Sequence, residues 1–533
     1  VKTYQLYLLS VFSGLLLSFA WPHNGFAPLI FIAFVPMFQV EFHFWKKAEK
    51  AWWKVLGHSY ISFLVWNVLT TFWVYNSTAV GGILAFSLNT LFMSIVFTLF
   101  HGIHKKFGHT IGYTALICLW MSYEYLHQDW DLSWTWLILG NVFSEYFTWI
   151  QWYEFTGFMG GTVWVFLVNI VLFLGLNLGG SLRPSWSDMR KPYLLFTLGL
   201  IFIPIGISYK IFNDYEEKEN PVEIVVVQPN IDPYNEKFDG MTASEQLIKL
   251  LKLAESKITT RTKYVVGPET ALVEGIVENN MEDFQSIQMI RRFLKVYPNI
   301  HLVVGISSYR EYQKEETPSK TARTSPSGKI YDAYNTAAQI DTTPLIQLYH
   351  KSKLVPGVEK MPFSKLLKPL EELAFNLGGM SGSLGGQNER SVFVNPEDKN
   401  LKIAPVVCYE SIYGEYVGDY VKNGAGLIFI ITNDGWWGDT PGYRQHCSYA
   451  RLRAIEHRRS IARSANTGIS CFVNQRGQIS QATTYWKEAV IKGSINQNQT
   501  LTFYTLNGDY LAKAALGISI LLLIMWIYKI FVK

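Results

Sequence analysis

The 533 residues are 49% hydrophobic and only 17% charged, with a formal net charge of +5. That length holds more than one domain, and so small a positive charge spread over it gives no reason to propose nucleic acid as a partner. Four cysteines with no CxxC pair and no zinc-type His/Cys spacing exclude a disulfide scaffold and a zinc module.

These averages conceal a division. Residues 1–212 are mostly long apolar runs, residues 220–505 have the composition of a soluble domain, and residues 511–531 are apolar again. A spanning helix needs about 20 mainly apolar residues. Candidate spans are 4–21, 26–42, 56–75, 81–103, 109–127, 160–180, 193–211 and 511–531. Lys2, the apolar run after it and Ser18-Phe19-Ala20 also fit a signal peptide loosely, although Pro22 disfavours cleavage there. Cys118, inside the fifth span, reads as a small buried apolar residue. The spans lack the paired charges expected of a transport pathway.

Basic residues cluster in alternate loops. Lys46, Lys47, Lys50 and Lys54 follow the second span, Lys105 and Lys106 the fourth, and Arg183, Arg190 and Lys191 the sixth. The intervening loops hold almost none: Asn76-Ser77-Thr78 is uncharged, and 128–155 carries Asp129, Asp131, Glu145 and Glu154. Because Lys and Arg loops stay in the cytoplasm, the insert at 220–505 is expected to face outward. Segment 128–155 also holds Trp130, Trp134, Trp136, Trp149 and Trp152, which suits either an interfacial belt or the border of a lipid-entry groove.

Within the insert, Ile224–Gln228, Tyr264–Gly267, Leu302–Gly305, Ile403–Cys408 and Leu427–Thr432 are short continuous apolar runs. Runs buried on both faces suit central strands of an α/β domain or a layered α-β-β-α one. Helical stretches are expected at 242–256, 281–296 and 443–463, and 353–400 reads as long loops rich in Gly, Pro and Ser.

Three strand ends carry reactive groups: Glu269 in Gly267-Pro268-Glu269-Thr270, Lys351 in Tyr349-His350-Lys351-Ser352, and Cys408 in Val406-Val407-Cys408-Tyr409-Glu410. Singly, each has an ordinary reading as loop, surface or core residue. Together they supply what thiol acyl transfer needs. A thiol requires a base, which a carboxylate provides, and a developing oxyanion requires a cation and a backbone N–H, here Lys351 and the N–H of Tyr409.

At these residues the chain resembles the nitrilase superfamily, whose Glu, Lys and Cys occur in this order at strand ends. Val227-Gln228-Pro229-Asn230-Ile231, Tyr334-Asn335-Thr336-Ala337 and Thr432-Asn433-Asp434 with Trp436 and Trp437 extend the match. Its placement between a bundle of spans and a last span resembles the apolipoprotein N-acyltransferase family of bacterial inner membranes, as do Gln445-His446, Ala450–Glu456 and Arg463–Ser470. The resemblance implies that Cys408 takes an acyl chain from a phospholipid as a thioester, with Glu269 as base and Lys351 at the oxyanion. The acyl chain then passes to the N-terminal amine of a diacylglyceryl-modified lipoprotein, by a ping-pong scheme. The sequence itself gives no sign of a metal or organic cofactor.

The resemblance also implies a second glutamate. Family members carry LVPFGE where this chain reads Leu354-Val355-Pro356-Gly357-Val358-Glu359, so Glu359 keeps the spacing while the aromatic is missing. Lys353 stands where many relatives have His, and could hold a phosphate headgroup or simply be solvated. Glu410 is expected as a supporting residue, pointing away from Cys408 if the strand continues. Trp436 and Trp437 are candidates for acyl-chain or membrane contact or for core packing, and Met361-Pro362-Phe363 for a lid. Cys447 and Cys471 can pair if the domain faces an oxidising space. Membrane spans on both sides of the insert make a monomer the expected state. The competing readings are a membrane-tethered amidase with water as acceptor, and a transporter or binding protein carrying a degenerate enzyme domain.

Overall fold

A computed structural model describes residues 2–23, 25–47, 51–177, 191–237, 240–363 and 383–532. The chain divides into two compact units. One comprises Val1–Tyr75, Ala79–Tyr215 and Asn507–Lys533, the other Asn76–Thr78 and Glu216–Leu506.

The first unit is helical. Among the described residues, six segments are long and apolar enough to cross a membrane: Thr3–Ala20, Ala27–Trp45, Ala79–Phe107, Phe158–Leu176, Lys191–Asp214 and Tyr510–Phe531. Helices also occupy Trp52–Thr71 and His109–Leu126, but these carry more polar side chains, several of which are met internally. Asn67 donates to the Phe63 carbonyl and accepts from Asn89, while Glu124 accepts from the Leu139 N–H and from Thr162.

Three expectations change here. Segment 26–42 is not one helix: a 3-10 turn, Ala27–Phe31, is followed by the helix Val35–Trp45, because Pro28 and Pro36 have no N–H and are accepted only in first turns. The helices do contain a paired ionisable cluster. Buried Glu41 lies 2.6 Å from His101 Nδ1 and 3.1 Å from His104 Nδ1, a pairing that offsets the cost of burying the carboxylate. Segment 128–155 is not an even belt either. It folds into the 3-10 turns Thr135–Leu137, Leu139–Phe143 and Phe147–Trp149, with Trp136 buried against Trp73 while Trp130 stays exposed.

The second unit contains two facing sheets. Its strands are β1 (Pro221–Gln228), β2 (Thr262–Val266), β3 (Leu272–Val277), β4 (His301–Glu311), β5 (Arg323–Thr324), β6 (Ile330–Ile340), β7 (Gln347–His350), β8 (Phe393–Val394), β9 (Lys402–Val407), β10 (Leu427–Thr432), β11 (Ser460–Ala465), β12 (Cys471–Val473), β13 (Ile479–Ser480) and β14 (Ala489–Asn496). The first sheet runs β14-β1-β2-β4-β6-β5, with β3 beside β4 and β7 beside β6; the second runs β13-β12-β11-β10-β9-β8. Pairs β1–β2, β2–β4, β9–β10 and β10–β11 are parallel.

Alternation along each strand builds two cores. Ile224, Val226, Tyr264 and Val303 of the first sheet meet Ile403, Val406, Phe429 and Ile461 of the second. Their neighbours Val225, Val265, Leu302 and Val304 turn the other way, onto Leu247 and Leu250 of helix Ala243–Glu255 and Ile287 and Ile290 of helix Gln285–Val296. Helices Gly414–Lys422 and Pro441–His457 lie along the second sheet. This is the layered α-β-β-α arrangement. One boundary differs from the helix expected over 443–463: it ends at His457, Arg458 turns left-handed (φ 49°), and β11 follows. All six residues of β11 are buried, so its sequence has neither a helical nor a strand period to read.

Candidate active site

Each reactive side chain follows a strand that cannot continue. Strand β2 ends at Val266, and Thr270 beyond it has φ 46°, turning the chain so that Glu269 faces inward. Gly305 of β4 makes room: a Cβ there would sit 2.4 Å from the Thr270 nitrogen and 2.6 Å from the Glu269 Cα. Strand β7 delivers Lys351, whose N–H donates to the Asn335 carbonyl at 2.8 Å. Strand β9 delivers Cys408, which itself adopts φ 49° and opens the 3-10 turn Cys408–Ile412.

Lys351 is the centre of a buried charge cluster. Its ammonium donates to Glu269 Oε1 at 3.0 Å and to Glu359 Oε1 at 2.8 Å. Asn335 Nδ2 donates to the same two oxygens, at 2.7 and 3.0 Å, so one amide and one ammonium tie both carboxylates together. The other oxygens are also met: Glu269 Oε2 accepts the Asn433 N–H, and Glu359 Oε2 the Val355 N–H. Gly357 has φ 78° in the turn that presents Glu359, and a glycine suits that conformation without the family's aromatic.

Burial alone would raise Glu269, but the Lys351 charge and hydrogen bond, aided by Asn335 and Lys237, hold it below the usual carboxylate range. Burial works against the Lys351 charge, yet Glu269 and Glu359 outweigh it and hold the ammonium above its ordinary value. Burial, and then the Glu269 charge, push the Cys408 thiol well up, with Lys351 opposing. The arrangement is therefore a protonated thiol electrostatically coupled to an ionised carboxylate and a cation.

A carbon-nitrogen hydrolase model matches residues 224–502, just over half of the chain. The chain belongs to the carbon-nitrogen hydrolase family. A second model, the apolipoprotein N-acyltransferase N-terminal domain, matches residues 13–171. The chain is 29% identical over 521 residues to an apolipoprotein N-acyltransferase of Chlorobaculum tepidum, covering 96% of this chain and 95% of that one. It is 27% identical over 527 residues to another from Geobacter metallireducens, covering 96% and 93%. Among solved structures it is similar to Saccharomyces cerevisiae Nit3, of branch 10 of the nitrilase superfamily, at 15% identity and a TM-score of 0.38, over 55% of this chain and 96% of that one. The resemblances read from the sequence are borne out.

The remaining candidates of this carbon-nitrogen hydrolase domain fall in different places. Glu410 does not continue the strand. The turn at Cys408 swings it back, where it accepts from the N–H groups of Val407 and Ser352 and the hydroxyls of Tyr349 and Tyr416, bracing the Lys351 loop against β9. Tyr409 is buried, with its ring 5.3 Å from that of Tyr413. Trp436 and Trp437 are half-buried, the first edge-on to Tyr234 and the second to His446. The Lys353 ammonium lies over the rings of Tyr413 and Tyr416, at 5.1 and 5.7 Å. Phe363 is exposed, and the part of the long loop at 364–382 lies outside the described residues. Cys447 and Cys471 are free thiols with their sulfurs 3.8 Å apart.

Sequence reasoning assigned no role to Asn335, Asn433, Asp434, His446 or Arg463, although all five stand in motifs quoted for the resemblance. Nothing in the sequence marked Lys237. It is buried, donates to Thr270 Oγ1 at 2.5 Å, and is brought down to about 8 by burial, with Glu269 opposing. Donor atoms of Cys408, Asp434 and His446 lie within 4.8 Å of one another, a spacing that could hold a metal. Their chemistry fits one poorly, since Asp434 is already paired with Arg463 at 2.7 Å and with His446 at 2.9 Å.

Proposed function

We propose that this membrane protein is an N-acyltransferase that moves an acyl chain from a phospholipid, through a thioester on Cys408, to the N-terminal diacylglyceryl-cysteine of lipoproteins. One observation carries it: a thiol coupled to a buried carboxylate and lysine, in a chain whose curated relatives over nearly its full length are named apolipoprotein N-acyltransferase.

Glu269 takes the Cys408 proton as the sulfur attacks the ester carbonyl. A thiol raised this far transfers its proton uphill, so transfer and attack proceed together. Two of the three Lys351 N–H bonds go to carboxylates, and the third meets the oxyanion along with the Tyr409 N–H. Collapse of the tetrahedral adduct expels the glycerol oxygen, which recovers the proton from Glu269 and leaves as lysophospholipid. The acceptor amine then attacks the thioester, gives its proton to Glu269, and departs as the amide while the proton returns to Cys408. Glu359 and Glu410 hold Lys351 and the Cys408 turn, and Trp436, Trp437 and Phe363 are the candidates for acyl-chain contact.

The loop charges support a catalytic domain on the outer, periplasmic side, and relatives named apolipoprotein N-acyltransferase support the bacterial inner membrane. Purified protein given radiolabelled phospholipid should form a hydroxylamine-sensitive acyl adduct on Cys408 that is absent in Cys408→Ser. Hydrolysis of small amides without any such adduct would favour a tethered amidase and defeat the proposal. Exclusive labelling of residues 220–505 from the cytoplasmic side of intact cells would overturn the orientation.

A further inference from the structure

Cys408 is held in a conformation that residues other than glycine rarely adopt, so something must fix it. Its carbonyl is gripped from two sides. The Ser411 hydroxyl donates to it at 2.7 Å, and His446 Nε2 lies 3.2 Å from it and 2.9 Å from Ser411 Oγ. A carbonyl only accepts, and the Ser411 proton is already directed at that carbonyl. The hydrogen between ring and turn therefore sits on Nε2.

The ring is itself anchored. His446 Nδ1 lies 2.9 Å from Asp434 Oδ1 and 3.1 Å from an Arg463 guanidinium nitrogen. Asp434 also takes the Thr432 hydroxyl at 2.8 Å and the Arg463 guanidinium at 2.7 Å, and Arg463 reaches on to the Ile469 carbonyl. Asp434, His446 and Arg463 are all buried, and Trp437 packs edge-on against the imidazole.

In a trans peptide, C=O and N–H point in opposite directions. The Cys408 carbonyl and the Tyr409 N–H belong to one peptide plane. Whatever pulls the carbonyl toward His446 and Ser411 aims the Tyr409 N–H the opposite way.

We propose that His446, anchored by Asp434 and Arg463, is a positioning residue that clamps the Cys408 carbonyl and so aims the Tyr409 N–H at the oxyanion. This rests on the reading of Cys408 as the acyl-accepting nucleophile.

The test compares two reagents at the same sulfur. A p-nitrophenyl acyl ester reacts through a tetrahedral oxyanion, whereas iodoacetamide alkylates by displacement at carbon and forms none. With the purified full-length protein in detergent, His446→Ala should slow the acylation burst by about 10- to 100-fold, less than the roughly 100- to 1000-fold loss seen when one oxyanion donor is removed outright. Alkylation of Cys408, followed by peptide mass, should change less than about twofold on the same basis. His446→Gln, whose amide nitrogen can occupy the Nε2 position, should recover most of the acylation. Should His446→Ala not fold, the same ratio in Ser411→Ala decides. Equal losses in both reactions would mean that His446 serves thiol activation or folding, and no loss in either would mean that it serves neither; both results overturn the inference. A wild type that alkylates but never acylates would instead overturn the nucleophile reading, and this inference with it.

Discussion

Glu359→Gln tests whether the charge cluster works as one unit. The substitution keeps the shape but removes the charge on which Lys351 and Asn335 converge, at 2.8 and 3.0 Å. A hydrogen bond to a charged group contributes about 1 kcal/mol more than a neutral one. The single amide oxygen of Gln can serve either that pair or the Val355 N–H, so one set of donors is left facing an NH₂. Two weakened bonds and one orphaned donor together cost roughly 3–5 kcal/mol. For a domain of this size that is a fall of about 6–15 °C in thermal midpoint. Lys351 then belongs to Glu269 alone, which makes that carboxylate a weaker base. A thioester-forming burst about 30-fold slower than wild type corresponds to roughly 2 kcal/mol. Intrinsic-fluorescence melts in detergent and single-turnover acylation read the two effects separately. A variant with wild-type midpoint and wild-type burst would show that Glu359 is not part of the working cluster.

Gly305→Ala should disable acylation more than it destabilises the domain, because the new methyl meets the backbone of Glu269 and Thr270, which must shift by several tenths of an ångström; an unaltered burst rate would refute this. Cys408 alkylation in resting enzyme should keep rising beyond pH 9, past the ordinary thiol range of about 8.5; a plateau near neutrality would show a pre-formed thiolate. Asp434 is held well below the usual carboxylate range, since Arg463 and His446 outweigh its burial. Its folded pKa is the lower one, so its contribution is complete above the ordinary value of about 4 and is lost as pH falls below it. Asp434→Asn should be less stable at pH 7 yet lose less on going to pH 3 in urea titrations, and equal losses in the two proteins would count against the Arg463 pairing.

The strands that position the site were legible because parallel strands buried on both faces read as continuous apolar runs, as in Ile224–Gln228 and Leu427–Thr432. Glu269 and Cys408 were legible because each closes such a run, whereas Lys351 follows the short mixed strand Gln347–His350 and was legible only through the order of the three residues. Asn335 was hidden for the opposite reason: it lies in the interior of β6, where its side chain looks like one more strand residue until β2 brings Glu269 beside it. Gly305 was hidden because a missing Cβ gives no signal without the neighbouring chain. His446 and Arg463 stand 17 positions apart on a helix and a strand, and only the left-handed turn at Arg458 brings both onto Asp434. The contacts of Glu410 could not be read from the sequence, because its direction depends on whether β9 continues through Cys408, and the turn there is set by the backbone of Cys408 itself. The Glu41 cluster was overlooked because histidine is uncharged by default, so a carboxylate with two imidazoles does not register as a charged pair.

The cluster around Lys351 holds two carboxylates and one ammonium, a single negative charge that Lys237 faces from the Glu269 side, and the thiol beside them is protonated. Moving the Cys408 proton to Glu269 changes where that charge sits but not how much of it there is. In the proposed mechanism attack moves it again, onto the substrate oxygen, and expulsion of the alcohol returns it to the carboxylate. The acceptor's half of the cycle repeats the same circuit. A site this dry would normally resist ionic chemistry, because each new charge would need hydration it cannot have. Under the proposed mechanism no charge is created at any step, so a site of this kind can admit an acyl chain, exclude water that would hydrolyse the thioester, and still perform acid–base work.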